Sequence, residues 1–251
     1  MTCTYLVTGS ASGIGAAIRR RLEANGNRVI GVDLRDADIE ADLGTEAGRK
    51  AMAEAAMGLT PRLDGVVAAA GISHPMPATL SINYFGAVAT MESLRPLLAE
   101  APRPRAVAIC STAALLPVHD AAVTACLAGD EAAAVAAIAE QPELSYMSSK
   151  RALSLWLRRT AVSPAWAGAG ILLNGIAPGV VETGMTAPLL RDPEMVKLIA
   201  QANPMAVKGF AVPDEMAELA AYLLTFEGHY LLGQIIFNDG GTDALMRPDA
   251  F

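Results

Sequence analysis

Tyr146-Met147-Ser148-Ser149-Lys150 sets a phenol and an ammonium four residues apart, which on a helix means one face and about one turn of separation. A phenol that ionises near pH ~10 is a poor proton donor and a scarce base at neutral pH. A neighbouring ammonium favours the phenolate and brings the group toward the working range. Such a pair can move a proton to or from an alcohol oxygen. In a chain of 251 residues the spacing also arises by chance, so it needs a second signal.

That signal lies in Thr8-Gly9-Ser10-Ala11-Ser12-Gly13-Ile14-Gly15, which follows the first strand-like run and opens a helical pattern. A tight turn after a strand needs residues tolerant of unusual backbone angles, and a backbone pressed against a pyrophosphate has no room for a Cβ. The free N–H groups and partial positive charge of the helix start then face the phosphates. Asp33 ends the second strand-like run about 18 residues beyond Gly15, where a carboxylate can accept hydrogen bonds from an adenosine ribose. Its charge repels a 2′-phosphate, and Ser10-Ala11-Ser12 carries nothing basic, so NAD is expected over NADP; Arg35 is the one nearby group able to reach a phosphate. Arg19-Arg20-Arg21 lies more than a turn from the helix start and reads as a solvated face.

The elements that must hold these groups alternate along the chain. Strands are expected at Thr4–Thr8, Arg28–Asp33, a short run ending near Asp42, Asp64–Ala69, Arg105–Cys110, Ile171–Ile176 and Gln234–Phe237. Helices are expected over Gly13–Asn25, Glu46–Met57, through Asn83 to Ala99, through Tyr146 to Ala165, and over Pro213–Leu224. This rhythm predicts a single-domain α/β fold, a doubly wound Rossmann-type parallel sheet of about seven strands with helices on both faces. Runs such as Gly65-Val66-Val67-Ala68 are apolar at successive positions, as covered strands require. No Pro/Gly/Ser linker or repeat divides residues 1–251. Two segments break the rhythm: an Ala-rich stretch at about 112–145, reading as one or two extra helices over 120–140, and a Pro/Met/Leu-rich stretch at about 184–212. Both follow strands at the edge where ligands bind in open α/β sheets, and so both are expected to form a substrate lid.

Composition narrows the partners. A net charge of −7 offers no basic surface to nucleic acid or anionic membrane. The most apolar stretch, Ala161 to Val181, is interrupted by Pro164, Asn174 and Pro178 before a membrane span accumulates. The amino terminus lacks the pattern of a secretion signal, which predicts a cytoplasmic protein. Cys3, Cys110 and Cys126 are widely spaced and read as small buried hydrophobes. His74 and His119 have no partner at ligand or triad spacing and read as rim residues, so no metal site is expected.

Together the glycine turn and the Tyr-x-x-x-Lys pair resemble the short-chain dehydrogenase/reductase family, and the resemblance spans the whole chain. It implies that Tyr146 is the general acid/base and that Lys150 supports it and holds the nicotinamide ribose. It further implies that Ser111 orients the substrate oxygen and that Asn83 holds the water of a proton relay. Cofactor contacts are implied at Gly9, Ser12, Gly13, Ile14, Gly15, Asp33, Leu34, Asp42, Leu43, Ala70, Gly71, Tyr146, Lys150, Pro178, Gly179 and Thr183. The runs Gly31-Val32-Asp33-Leu34-Arg35, Asn83-Tyr84-Phe85-Gly86 and Asp239-Gly240-Gly241-Thr242-Asp243 are similar to a bacterial 3α-hydroxysteroid dehydrogenase/carbonyl reductase subgroup, to which coniferyl-alcohol dehydrogenases are also similar. The 35 residues from Ser111 to Tyr146, where most members leave roughly a dozen, agree with that subgroup. An insertion there implies a homodimer through the last helix and strand in place of a bundle around the tyrosine helix, with a tetramer as the alternative. One departure is Ala68-Ala69-Ala70-Gly71, where the family places Asn-Asn-Ala-Gly.

The reading is reversible hydride transfer between NAD(H) and a hydrophobic secondary alcohol or its ketone, with the cofactor supplying redox chemistry and the protein supplying placement. Leu116, Met147, Met185 and Leu189 are expected to line an apolar substrate site suited to a steroid or an aromatic alcohol. An aryl or allylic alcohol dehydrogenase is the alternative within this chemistry. A catalytically silent NAD-binding sensor predicts a degraded Tyr/Lys pair, and an epimerase or dehydratase a longer carboxyl-terminal region.

Overall fold

The computed structural model describes residues 2–250 and confirms seven parallel strands in one sheet. The first half runs β1 (Thr4–Thr8), α1 (Gly13–Ala24), β2 (Arg28–Asp33), β3 (Ile39–Glu40), α2 (Glu46–Leu59) and β4 (Gly65–Ala68). It continues through α3 (Ala78–Leu80), a π-helical turn at Ser81–Gly86, α4 (Ala87–Ala99) and β5 (Arg105–Ile109). The second half runs α5 (Asp120–Ala128), α6 (Glu131–Ile138), α7 (Ser145–Ala161), β6 (Leu172–Pro178), α8 (Ala187–Leu190), α9 (Pro193–Ala202), α10 (Pro213–Thr225), β7 (Ile235–Asn238) and α11 (Thr242–Met246). The spatial order β3-β2-β1-β4-β5-β6-β7 reverses direction between β1 and β4, which opens a crevice at the carboxyl ends of those strands.

Alternation decides what each strand residue covers. Leu6 pairs with Ile30 and Val66, and all three face the layer formed by α2, α4 and α7. Tyr5 and Val7, one residue either side, face the opposite layer with Val29 and Val67, under α1 and α10. Each fully buried leucine such as Leu22, Leu94 or Leu153 contributes about 1.5–3 kcal/mol to holding a helix on its face. The arginine run of α1 is a surface feature as expected: Arg20 and Arg21 reach Asp214 and Glu218 of α10, while Arg19 pairs with Glu23 and Asp38.

Some boundaries shift for local reasons. The helix read to Ala165 stops at Ala161, because Pro164 has no N–H and disfavours helical backbone at Ser163, whose carbonyl instead closes a turn to Trp166 and Ala167. Strand β4 begins at Gly65 rather than Asp64, whose carboxylate accepts the Thr4 N–H at 2.8 Å.

The insertion forms two helices, as its sequence suggests. His119 accepts the Ala122 N–H through Nδ1 at 3.2 Å, capping α5; Gly129 closes it with a left-handed φ of 77°; Asp130 caps α6. The pair packs on α7 and against α3 and the π turn, and Arg49 of α2 grips Glu131 of α6 at 2.5 Å. The insertion packs on α7, and none of its residues from 112 to 145 lines the main cavity. Among the described residues there is no helix long and apolar enough to cross a membrane and no cluster of potential metal ligands.

Candidate active site

A cavity of about 380 Å³ occupies the crevice at the carboxyl edge of the sheet. Its floor is the glycine turn. Gly9 holds a φ of +69°, and a Cβ there would come within 2.9 Å of the Ala70 backbone; Gly13 holds +53°. Both conformations favour glycine, and the close approach of the turn to Ala70 leaves it no side chain to spare. The Ala69-Ala70 segment, which lacks the family's asparagines, is tied down by Thr8, whose Oγ1 accepts both of its N–H groups at 3.1 Å.

Asp33 closes one end of the cavity. Its Oδ2 accepts the Ala11 N–H at 2.9 Å and its Oδ1 the Leu34 N–H at 2.7 Å, so the carboxylate is fixed in orientation and still has lone pairs for a ligand. Asp42 lines the same end, its Oδ1 accepting the Gly44 N–H at 2.9 Å. Lys150 is the sole lysine or arginine among the residues that line the cavity. Arg35 is exposed and outside that lining. The glycine cradle, the helix start and an acidic ribose end fit a dinucleotide without a 2′-phosphate.

Tyr146 and Lys150 stand in the first turns of α7, with Lys150 Nζ 5.8 Å from the phenol ring centre. Nζ also donates to the Ile109 carbonyl at 2.7 Å, which anchors the ammonium to the end of β5. Ser111 follows that strand. Its Oγ accepts the Ala113 N–H at 3.1 Å, and the hydroxyl proton is thereby left to donate outward.

Four consecutive residues bolt this part of α7 to four places. Ser148 Oγ accepts the His119 N–H at 2.9 Å, and Ser149 Oγ accepts from Asn83 Nδ2 at 3.1 Å while donating to the Tyr146 carbonyl. Lys150 holds Ile109, and Arg151 Nε donates to the Ala114 carbonyl. Sequence reasoning missed Ser148, Ser149 and Arg151 in this positioning role. Their partners lie 29, 66 and 37 residues away, beyond any local spacing signal.

The other expected residues divide. Gly9, Ser12, Gly13, Ile14, Gly15, Asp33, Leu34, Asp42, Leu43, Ala70, Gly71, Ser111, Tyr146, Lys150, Pro178, Gly179 and Thr183 all line the cavity. Asn83 does not: it is fully buried, its carboxamide pairing with both the N–H and the carbonyl of Ile72 at 2.8 Å. Of the expected substrate-lining set Met185 lines the cavity, whereas Leu116, Met147 and Leu189 lie outside its lining. Leu189 belongs to α8, which buries no residue, and Leu116 and Met147 are half-buried outside the cavity. Ile72, Ile82 and Val181 line the cavity unforeseen, since single apolar residues after strands carry no periodic signal. His74 sits on an exposed loop and His119 is a helix cap.

A sheet of this order with Tyr-x-x-x-Lys facing a glycine-floored crevice defines a dinucleotide-dependent oxidoreductase of the short-chain type. The chain belongs to the short-chain dehydrogenase/reductase family: residues 9–243 match the family model described as enoyl-(acyl carrier protein) reductase. It is 39% identical to a 3-alpha-hydroxysteroid dehydrogenase/carbonyl reductase of Comamonas testosteroni, across 98% of both chains. It is 30% identical to galactitol 2-dehydrogenase (L-tagatose-forming) of Cereibacter sphaeroides, over 94% of this chain and 92% of that one. Among solved structures, the 3-alpha-hydroxysteroid dehydrogenase of Pseudomonas sp. B-0831 complexed with NADH superposes with a TM-score of 0.91 at 38% identity, covering 99% of this chain and 100% of the other.

Proposed function

We propose that the chain is an NAD-dependent dehydrogenase that interconverts a hydrophobic secondary alcohol and its ketone, with 3α-hydroxysteroids as the substrate class. The observation that carries this reading is the single cavity in which Ser111, Tyr146 and Lys150 meet a glycine-cradled, acid-ended dinucleotide site. The steroid assignment rests on the likeness to the Comamonas and Pseudomonas proteins.

A nicotinamide held here would supply the hydride acceptor and donor for the carbinol carbon. The chain's part is placement and proton transfer. Gly9, Gly13 and Gly15 admit the pyrophosphate backbone-close, and Asp33 accepts from the adenosine ribose. Ser111 donates to the substrate oxygen, and Tyr146 gives that oxygen a proton in reduction and takes it in oxidation. Lys150, held by Ile109, places positive charge beside the phenol. Asn83 acts behind them as a positioning residue, joining the Ile72 backbone to Ser149.

Absorbance of the reduced nicotinamide, read with NAD and then NADP against a 3α-hydroxysteroid, coniferyl alcohol and simple cyclic and aryl alcohols, tests the proposal. Steroid-dependent reduction of NAD is expected. Turnover confined to aromatic or small alcohols removes the steroid and keeps the chemistry. Silence with intact NAD binding favours a non-catalytic sensor.

The partner reading extends to a second copy of the chain. Strand β7 is an open sheet edge whose Ile235, Ile236 and Phe237 are half-buried, with Tyr230 exposed on the segment before it and Leu245 exposed on α11 after it. A parallel sheet is seldom left with an uncovered apolar edge, which supports a homodimer built there.

A further inference from the structure

A second cavity, of about 320 Å³, opens at the amino-terminal edge of the sheet and shares no lining residue with the catalytic cleft. The starts of β1 and β5 and the last turn of α10 form it. Its lining includes three arginines, Arg62, Arg103 and Arg105, against one carboxylate, Asp64, in a chain whose net charge is −7.

Arg105 is the unusual member. It is 5% exposed, yet its partners are neutral: Nη1 donates to the Pro104 carbonyl at 3.1 Å and Nη2 to the Phe226 and Gly228 carbonyls at 2.9 and 3.0 Å. A guanidinium has five N–H donors, so among the described residues Nε and one Nη1 proton have no protein acceptor. The nearest carboxylates are committed elsewhere. Asp64 takes the Thr4 N–H at 2.8 Å and faces Arg62 at 3.8 Å, while Glu227 pairs with Arg103 at the rim at 3.3 Å. Burial and the like charge of Arg103 both push the Arg105 guanidinium below its ordinary pKa, the direction expected of a buried cation without a counter-ion.

Pro102, Leu224, Phe226 and the ring of Tyr5 give the remaining wall an apolar face, with Thr2, Cys3 and Thr225 completing it. Burial raises the Tyr5 phenol above its ordinary value, so its hydroxyl stays protonated and uncharged. One unpaired buried cation with a second at the rim calls for a monoanion, and the apolar walls call for a carbon body behind it. We propose that this cavity binds a small organic carboxylate, its carboxyl group between Arg103 and Arg105 and its body against Tyr5, Leu224 and Phe226.

Benzoate is the probe, titrated into the full chain saturated with NADH at fixed ionic strength and followed by thermal unfolding and calorimetry. Benzyl alcohol, of the same shape and uncharged, is the control. Saturable stabilisation by benzoate and none by benzyl alcohol is expected, with the NADH affinity unchanged. Arg103→Gln, at the rim and free of backbone duties, should weaken benzoate about tenfold or more, the loss of one charge-assisted contact. Arg105→Gln should do the same if it folds; should it fail to fold, the rim variant still decides. No response to benzoate overturns the proposal. So does an equal response to benzyl alcohol, a response undiminished in Arg103→Gln, or one that NADH abolishes, which places the ligand in the catalytic cleft.

Discussion

Tyr146 and Lys150 are held in register by their neighbours more than by the helix that carries them. Tyr146 stands in the first turn of α7, where the backbone N–H groups have no intrahelical acceptor, and Ser149, Asn83 and Ile72 form a relay of hydrogen bonds behind it and Lys150. Replacing Tyr146 by Phe keeps the ring and removes the proton. Turnover should fall about 10²–10⁴-fold while NADH binding, followed by its fluorescence, stays as it was. Retained turnover would move the acid/base role to another residue. Asp33→Ala should weaken NAD and narrow its advantage over NADP, because the variant loses both a ribose acceptor and the charge that repels a 2′-phosphate. An unchanged ratio of the two affinities would remove Asp33 from cofactor choice. Tyr146, Lys150, Asp33 and the glycine turn were legible because each rests on a local spacing with a chemical reason. Asn83 was legible as important, while its burial and its pairing with Ile72 exist in three dimensions alone.

The insertion shows what the element scale adds. Its two helices could be read from alanine-rich sequence between caps, but their docking could not, because it depends on Arg49 in α2 meeting Glu131 82 residues later. Arg49 also donates to the Leu43 and Ser81 carbonyls, so one side chain joins α2, the π turn and α6. Arg49→Ala leaves the half-buried Glu131 carboxylate without its partner and takes a donor from the Leu43 and Ser81 carbonyls, at a cost of about 1–3 kcal/mol. Cys126 reports on this docking. Burial against the core pushes its thiol up to about 12, from an ordinary value of 9.0. The native chain should therefore resist thiol reagents at Cys126 and Cys110 and react at half-buried Cys3, with all three reacting after unfolding. In Arg49→Ala, Cys126 should label faster while Cys110 stays protected; equal protection of Cys126 would show that the ion pair does not hold the insertion. The same shift sets a pH dependence. Between about pH 9 and 12 the unfolded thiol has lost its proton and the folded one has not, so the unfolded state binds fewer protons and stability falls as pH rises. Denaturant titrations of the wild type and Cys126→Ala should diverge in that window, with the steeper alkaline loss in the wild type.

At the scale of the whole molecule, the sheet sorts the chain into two edges and two layers, and most of that order was visible in the sequence. Apolar residues at successive strand positions marked the sheet as covered on both faces, and the crossover rhythm made the strands parallel; which residues face α2, α4 and α7 and which face α1 and α10 follows from the alternation seen in three dimensions. The segment after β6 was harder to read: its apolar residues suggested a packed lid, yet α8 and α9 bury none of theirs, and the segment is held at its two feet. Thr186 Oγ1 donates to the Val181 carbonyl at one foot, and the Ala206 N–H donates to the Gly240 carbonyl at the other. The edge at β7 is the other place where apolar surface lacks cover. Ile235, Ile236 and Phe237 are half-buried there, and Tyr230 is 91% exposed at the turn that leads into the strand. A single exposed tyrosine is ordinary; one beside an open apolar strand, with Leu245 of α11 exposed as well, marks a face that association would bury. Light scattering on the purified chain should then give a mass near twice 26.0 kDa. Ile236→Lys puts a charge on the strand without touching the cleft, and should shift the mass to that of one chain while NADH still binds. A wild-type monomer would mean that the β7 edge is solvated as it stands. A dimer unmoved by Ile236→Lys would place the contact on another face of the molecule.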